Sequence, residues 1–337
     1  MSVIAIIGAG AWGTALSIVT ARKGVHEVRL WAYEKEVCES IAARRINELF
    51  LPGQLVPDAV SVTNSFEYAL RGADIVASVM PSHHCRRLFT QMRPFLRKEM
   101  LFVSATKGIE DQTHLRMTEI ISQILSPEFI PRIGALSGPT FAKEVARGDP
   151  TAIAIASSDA ECAQTVQHAL SDPRFRLYTN DDVIGVELGG SLKNVIAIAA
   201  GVCDGLGFGH NSVAALITRG LAEMTRLVVA CGGRRETMAG LAGLGDLVLT
   251  CTGSLSRNRT VGVELGRGRQ LTDIIAGMHG MVAEGVLTTH AALGLAKAHS
   301  LEMPITEQMQ AILSDGKPPR EAMHELMTRS AKSETAL

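Results

Sequence analysis

The first thirteen residues constrain this chain more than any other stretch. Val3 to Ile7 is a short aliphatic run, and directly behind it stand Gly8-Ala9-Gly10-Ala11-Trp12-Gly13 and the helix-forming Thr14-Ala15-Leu16. In a strand that passes into a helix this way, the first glycine permits a tight turn and the second lets backbone approach a pyrophosphate. The third lets the helix pack on the strand, and the helix N-terminus faces the anion. Glycines at that spacing also occur in plain turns. The position between an N-terminal strand and a helix, inside a βαβ unit, is what selects a dinucleotide site.

The rest of the first half keeps to that pattern. Val3–Ile7, Glu27–Trp31, Ile75–Val79, Leu101–Ser104, Ile133–Ser137, Thr151–Ala156 and Arg176–Tyr178 read as strands, with a weaker one at Val60–Val62. Trp12–Lys23, Phe66–Leu70, Cys85–Met92, Leu115–Leu125, Thr140–Arg147 and Ala160–Leu170 read as helices between them. Such alternation predicts an α/β architecture, a Rossmann-type doubly wound sheet covered by helices on both faces. After about Asp181 the strand signals stop and an Ala-, Leu-, Met- and Gly-rich sequence of helical spacing follows. We therefore expect a dinucleotide-binding domain over 1–181 and an all-α substrate domain over 182–337, handing over at Asn180–Asp182.

Composition excludes several classes. With 33 basic and 34 acidic residues, net −1, nothing biases the chain toward nucleic acid. Six scattered cysteines with no CxxC pair suit reduced thiols rather than a disulfide frame or a structural zinc site. No apolar run reads as the roughly 18 residues of a membrane span, and Val3–Ile7 is too short for a span and has no cleavage region after it, so it reads as a strand and not a signal peptide. A soluble, cytoplasmic protein without a membrane span is expected.

At the cofactor end, an acid for a ribose is expected about 20 residues beyond the glycines, and Glu34, after Trp31-Ala32-Tyr33, is the nearby candidate. No arginine stands at that strand tip to receive a 2′-phosphate, and Lys35 is the nearest cation, so NAD is favoured over NADP. Val79-Met80-Pro81-Ser82 and Ser104-Ala105-Thr106-Lys107-Gly108 end other strands and lie on the carboxyl edge where such sheets bind ligands. Lys107 is either a cation at the mouth of the site or an ordinary surface lysine.

The second half opens on Asp182–Gly201, one long apolar helix with Lys193 and Asn194 in its middle. Its lysine leans back over Gly189 and Gly190 into a slot, or snorkels to solvent from a partly exposed helix. Three further groups carry chemistry. Ser137-Gly138-Pro139-Thr140-Phe141-Ala142 offers free N–H groups at a helix start, and Gly243-Leu244-Gly245-Asp246 puts an acid in a glycine-rich turn. Ser256-Arg257-Asn258 combines hydroxyl, guanidinium and amide, which suits a phosphate. Each could instead be a cap or a solvated loop.

Together these motifs resemble a known family. The glycine fingerprint, Ser104–Glu110, Leu136–Ala142, Gly190–Val195, Gly205–Asn211, Gly245–Thr250, Ser256–Asn258 and Val282–Gly285 occur in the order found in NAD(P)-dependent glycerol-3-phosphate dehydrogenases, most closely the soluble bacterial type. The resemblance implies reversible interconversion of sn-glycerol 3-phosphate and dihydroxyacetone phosphate with NAD or NADP and no metal. It also implies supply of glycerol 3-phosphate to phospholipid synthesis, by a homodimer. It implies Lys193 as proton acceptor, with Lys107, Asp246 and Asn194 in the catalytic set. Lys107, Gly138, Thr140, Lys193, Asp246, Thr250, Ser256, Arg257 and Asn258 become substrate contacts. Gly8, Gly10, Ala11, Trp12, Gly13, Tyr33, Lys107, Ala142, Arg257, Val282 and Glu284 become cofactor contacts. Ser191 stands where alanine is usual, and Tyr33-Glu34 lacks the basic residue many bacterial members carry.

The residues agree with that chemistry. Oxidising a secondary alcohol needs a hydride acceptor, a base and something to fix the phosphate. Lys193 can be the base only if burial and Lys107 lower its pKa, against the pull of Asp246 if that residue is close. The cleft between the domains is the expected site. Two alternatives stand: a β-hydroxyacid or 6-phosphogluconate-type dehydrogenase, which also places a lysine and an asparagine on the long helix, and a dinucleotide-sensing regulator without catalysis. No Tyr-x-x-x-Lys or P-loop is present, and His83-His84-Cys85 lacks partners for a metal site.

Overall fold

The computed structural model describes residues 1–278, 283–331 and 333–334. They form two compact units, one of 1–106 with 117–186 and one of 107–116 with 187–337. The segment 107–116 thus packs with the helical half although it leaves the sheet after a strand.

The first unit is built on ten strands: β1 (Val3–Ile7), β2 (Glu27–Trp31), β3 (Ile46–Asn47), β4 (Leu51–Leu55), β5 (Val60–Thr63), β6 (Ile75–Ser78), β7 (Leu101–Ser104), β8 (Arg132–Ser137), β9 (Thr151–Ala156) and β10 (Phe175–Asn180). Eight of them form one sheet in the order β10-β9-β8-β7-β6-β1-β2-β5. The β6 and β7 strands are buried at every position, as parallel strands covered on both faces must be. β1 lies between β2 and β6, with Ile7 opposite both Trp31 and Ser78. The winding reverses there, and the carboxyl end of β1 is the switch point where such sheets bind ligands. One pair departs from the parallel pattern: β9 runs antiparallel to β8, with Leu136 opposite Ile155.

Between β2 and β5 the structure adds a helix, Lys35–Arg44, and the antiparallel hairpin of β3 and β4. Neither is legible in the sequence pattern. The helix buries only Val37 and Ile41, one turn apart, and β4 contains Pro52 and Gly53, residues that argue against a strand.

No strand follows β10 among the described residues. Asp182 starts the long helix Val183–Gly205, its Oδ1 accepting from the Gly185 N–H at 2.8 Å. This helix is, contrary to the reading of the bare sequence, long and apolar enough to cross a membrane. Its most apolar window is 89% buried within the protein, as for the core helix of a helical domain. The second unit packs around it, and its Gly201 lies so close to the helix Arg257–Gly266 that a Cβ there would stand 2.1 Å from the Arg259 carbonyl oxygen. Among the described residues none of the six cysteines forms a disulfide.

Candidate active site

The glycine loop has the sterics its spacing predicts. Gly8 sits at φ +119° against the Val79 backbone, and a Cβ on Gly13 would meet the Gly8 carbonyl oxygen at 1.8 Å, so neither position accepts a side chain. Above Gly10, by contrast, a Cβ would find nothing within 4 Å. Gly10 also precedes the helix Ala11–Arg22 without any side-chain cap, which leaves the first-turn N–H groups for an incoming anion. Among the described residues the buried Trp12 indole N–H has no hydrogen-bond partner. An open glycine, an uncapped helix start and an orphaned donor together fit the pyrophosphate end of a dinucleotide.

A residue that pattern reading missed fixes this loop. Asn47, fully buried on β3, donates from Nδ2 to the Ala9 carbonyl and to Thr14 Oγ1, both at 2.8 Å. Its only sequence signal is an asparagine 37 residues downstream of Gly10, too distant to link to the loop. Thr106 Oγ1 likewise ties the end of β7 to the Met80 carbonyl at 2.8 Å.

Tyr33 is exposed at the end of β2, and Gly138 and Thr140 lie in the turn after β8, where Thr140 Oγ1 donates to the Gly138 carbonyl at 3.0 Å. Ala142 begins the helix Ala142–Arg147, two residues later than expected. These belong to the first unit.

In the second unit the chemistry-bearing residues converge. Lys193 is buried, so it does not snorkel, and its Nζ donates to Asp246 Oδ1 at 2.5 Å and to Thr250 Oγ1 at 2.8 Å. The other oxygen of Asp246 receives Lys107 Nζ at 2.8 Å. A fully buried carboxylate therefore holds two lysines, one on each oxygen. Burial brings the Lys193 ammonium down from 10.5 to about 8, Asp246 opposing and Lys107 adding to the fall. Cys251 next to the cluster is no competing nucleophile, since burial pushes its thiol up to about 12.

The local backbone explains how these side chains meet. Gly189, one turn before Lys193, is not an empty slot: a Cβ there would stand 2.7 Å from the Ala242 carbonyl oxygen. The glycine admits the turn Leu241–Gly245, a short π-helical stretch that leads straight into the helix Asp246–Thr252 and so delivers Asp246 to the lysine. Lys107 arrives on the segment 107–116, which Arg116 anchors to the long helix by a buried ion pair with Glu187 at 2.7 Å.

At the next position of the long helix, Asn194 Oδ1 accepts from Asn258 Nδ2 at 2.9 Å, and Asn258 Oδ1 accepts from the Gly285 N–H at 2.9 Å. Gly285 follows Glu284, which opens the helix Glu284–Ala298. Ser256 caps the helix Arg257–Gly266 by accepting from the Arg259 N–H. Arg257 is the exception in this network: half-buried, it forms no hydrogen bond or ion pair among the described residues, and burial holds its guanidinium below the usual value. A planar fork with nothing to bind is a ready phosphate ligand. Val282 and His279 lie outside the described residues.

Comparison with known proteins agrees with this layout. Family profiles described as the N-terminus and the C-terminus of NAD-dependent glycerol-3-phosphate dehydrogenase match residues 3–163 and 182–324. The glycerol-3-phosphate dehydrogenase [NAD(P)+] of Koribacter versatilis is 71% identical over the full length of both chains. That of Acidobacterium capsulatum is 57% identical, covering 99% of this chain and 100% of its own. Among solved structures, glycerol-3-phosphate dehydrogenase from Coxiella burnetii superposes with a TM-score of 0.92 at 41% identity, over 97% of this chain and 99% of that one. The chain belongs to the NAD(P)-dependent glycerol-3-phosphate dehydrogenase family.

Proposed function

We propose that this protein interconverts sn-glycerol 3-phosphate and dihydroxyacetone phosphate, with Lys193 as the group that takes and returns the hydroxyl proton. The observation that carries the reading is the buried carboxylate of Asp246 between Lys193 and Lys107. When bound, NAD or NADP supplies the hydride acceptor or donor. Lys193, with its pKa near 8, offers a neutral amine to the alcohol on the alkaline side and an ammonium to the carbonyl on the acid side. Asp246 aims that amine, Thr250 fixes it from a second direction, and Lys107 keeps its pKa low. Arg257 holds the phosphate, with Ser256 and Asn258 setting the helix start that presents it. Asn194, through Asn258, positions the same helix start, and Gly138 and Thr140 add substrate contacts from the first unit. The glycine loop with Ala11 and Trp12 holds the pyrophosphate, Tyr33 the adenosine end, and Ala142, Lys107, Arg257 and Glu284 complete the cofactor contacts. A cytoplasmic homodimer that supplies glycerol 3-phosphate for phospholipid synthesis is part of the proposal and rests on the family resemblance.

Following the absorbance of reduced nicotinamide with dihydroxyacetone phosphate, using NADH and NADPH in parallel, tests the activity. Turnover is expected with this ketone and not with β-keto acids of the hydroxyacid dehydrogenases; the opposite preference overturns the reading. The same assay gives a pH profile. Because the lowered pKa of Lys193 means that the proton leaves above about pH 8, ketone reduction should decline through that pH while alcohol oxidation rises.

Arg257→Ala removes a bidentate, charge-assisted partner of the phosphate without touching the proton-transfer group. A loss of about 3 kcal/mol, roughly a hundredfold, is expected in KM for dihydroxyacetone phosphate, with kcat changed only a few fold. A variant with unchanged KM would remove Arg257 from the phosphate site.

A further inference from the structure

The end of β2 offers no arginine for a 2′-phosphate, yet the fold delivers one from another element. Arg87, in the helix Cys85–Met92 that follows β6, sets its guanidinium 5.7 Å from the centroid of the Tyr33 ring. Both β2 and β6 pair with β1, so the segments carrying Tyr33 and Arg87 flank the glycine loop from its two sides. Tyr33 is 65% exposed, and Arg87 is exposed as well. Among the described residues Arg87 forms no hydrogen bond or ion pair. Its neighbours His83 and His84 have pKa values lowered by burial first; the charge of Arg87 comes second at His83 and, after that of His83, third at His84, so the arginine is the cation present there at neutral pH.

We propose that Arg87, stacked on Tyr33, is the residue of this chain that receives the 2′-phosphate of a phosphorylated dinucleotide. Cofactor choice is then set by the helix behind β6 and not by the tip of β2. An arginine lying over an aromatic ring at less than about 6 Å keeps its planar face on the ring and its N–H edge free for a phosphate. The inference rests on the dinucleotide reading of the glycine loop.

Calorimetric binding of ADP-ribose and of 2′-phospho-ADP-ribose to the full chain tests it, since neither compound carries a nicotinamide and turnover does not enter. Arg87→Ala should weaken the 2′-phosphorylated ligand by about tenfold or more and ADP-ribose by no more than about twofold. Arg87→Lys should recover part of the loss, keeping charge but not the fork. Equal weakening of both ligands, or none for the phosphorylated one, overturns the proposal. A wild-type protein that binds neither compound instead overturns the dinucleotide site itself, and the proposal with it.

Discussion

Replacing Lys193 by methionine is expected to lower turnover by about 10³- to 10⁴-fold in both directions, the scale of a lost general acid–base group. Methionine is close to the lysine stem in length and needs no partner, so it fits the buried position. The charge balance also improves: two lysines on one carboxylate become one lysine on one carboxylate. Thermal melting should therefore show no loss of stability, and reduced-cofactor fluorescence should show binding within about threefold of wild type. Near-normal turnover would remove Lys193 from the chemistry. A low melting point would mean that the loss of turnover reports on folding instead.

Asp246→Asn has the second large effect, and its sign distinguishes an aiming carboxylate from a bystander. Asp246 raises the pKa of Lys193 while burial and Lys107 lower it. Removing the negative charge leaves both lowering influences in place, so the pKa should fall further, by about one unit or more. Ketone reduction, which needs the ammonium, should then lose activity at neutral pH and recover partly on acidification. Alcohol oxidation should keep its protonation state but lose the aim that Oδ1 provides, and fall by about a hundredfold. A reduction profile that stays inflected near pH 8 would show that Asp246 does not control Lys193.

What the sequence shows of this protein follows from how local each signal is. β1 and β7 have the bounds their apolar runs suggest, because strands buried on both faces have no polar side to blur the pattern. The helix Cys85–Met92 also stands where its spacing puts it. The segment between β2 and β5 stayed illegible because its helix buries a two-residue stripe and its hairpin contains a proline and a glycine. At the site, Lys193, Lys107, Asp246 and Arg257 are visible as residue types in suggestive turns. Their pairing on two oxygens of one carboxylate is not, because Lys107 and Asp246 are 139 residues apart. Asn47 and Arg87 lie beyond any motif; Asn47 reaches its partners from the separate β3–β4 hairpin, and Arg87 reaches Tyr33 through the order of strands in the main sheet.

The buried Asn47 has a further consequence for how readily the phosphate loop takes a ligand. A glycine-rich loop is entropically costly to order, and a protein that leaves it loose must supply that ordering from binding energy. Here the amide of Asn47 grips the Ala9 carbonyl and the Thr14 hydroxyl from a hairpin whose own Leu51 is locked in the core. The loop is thus held by these contacts in the folded chain, and the inserted segment between β2 and β5 works as a clamp on the phosphate loop.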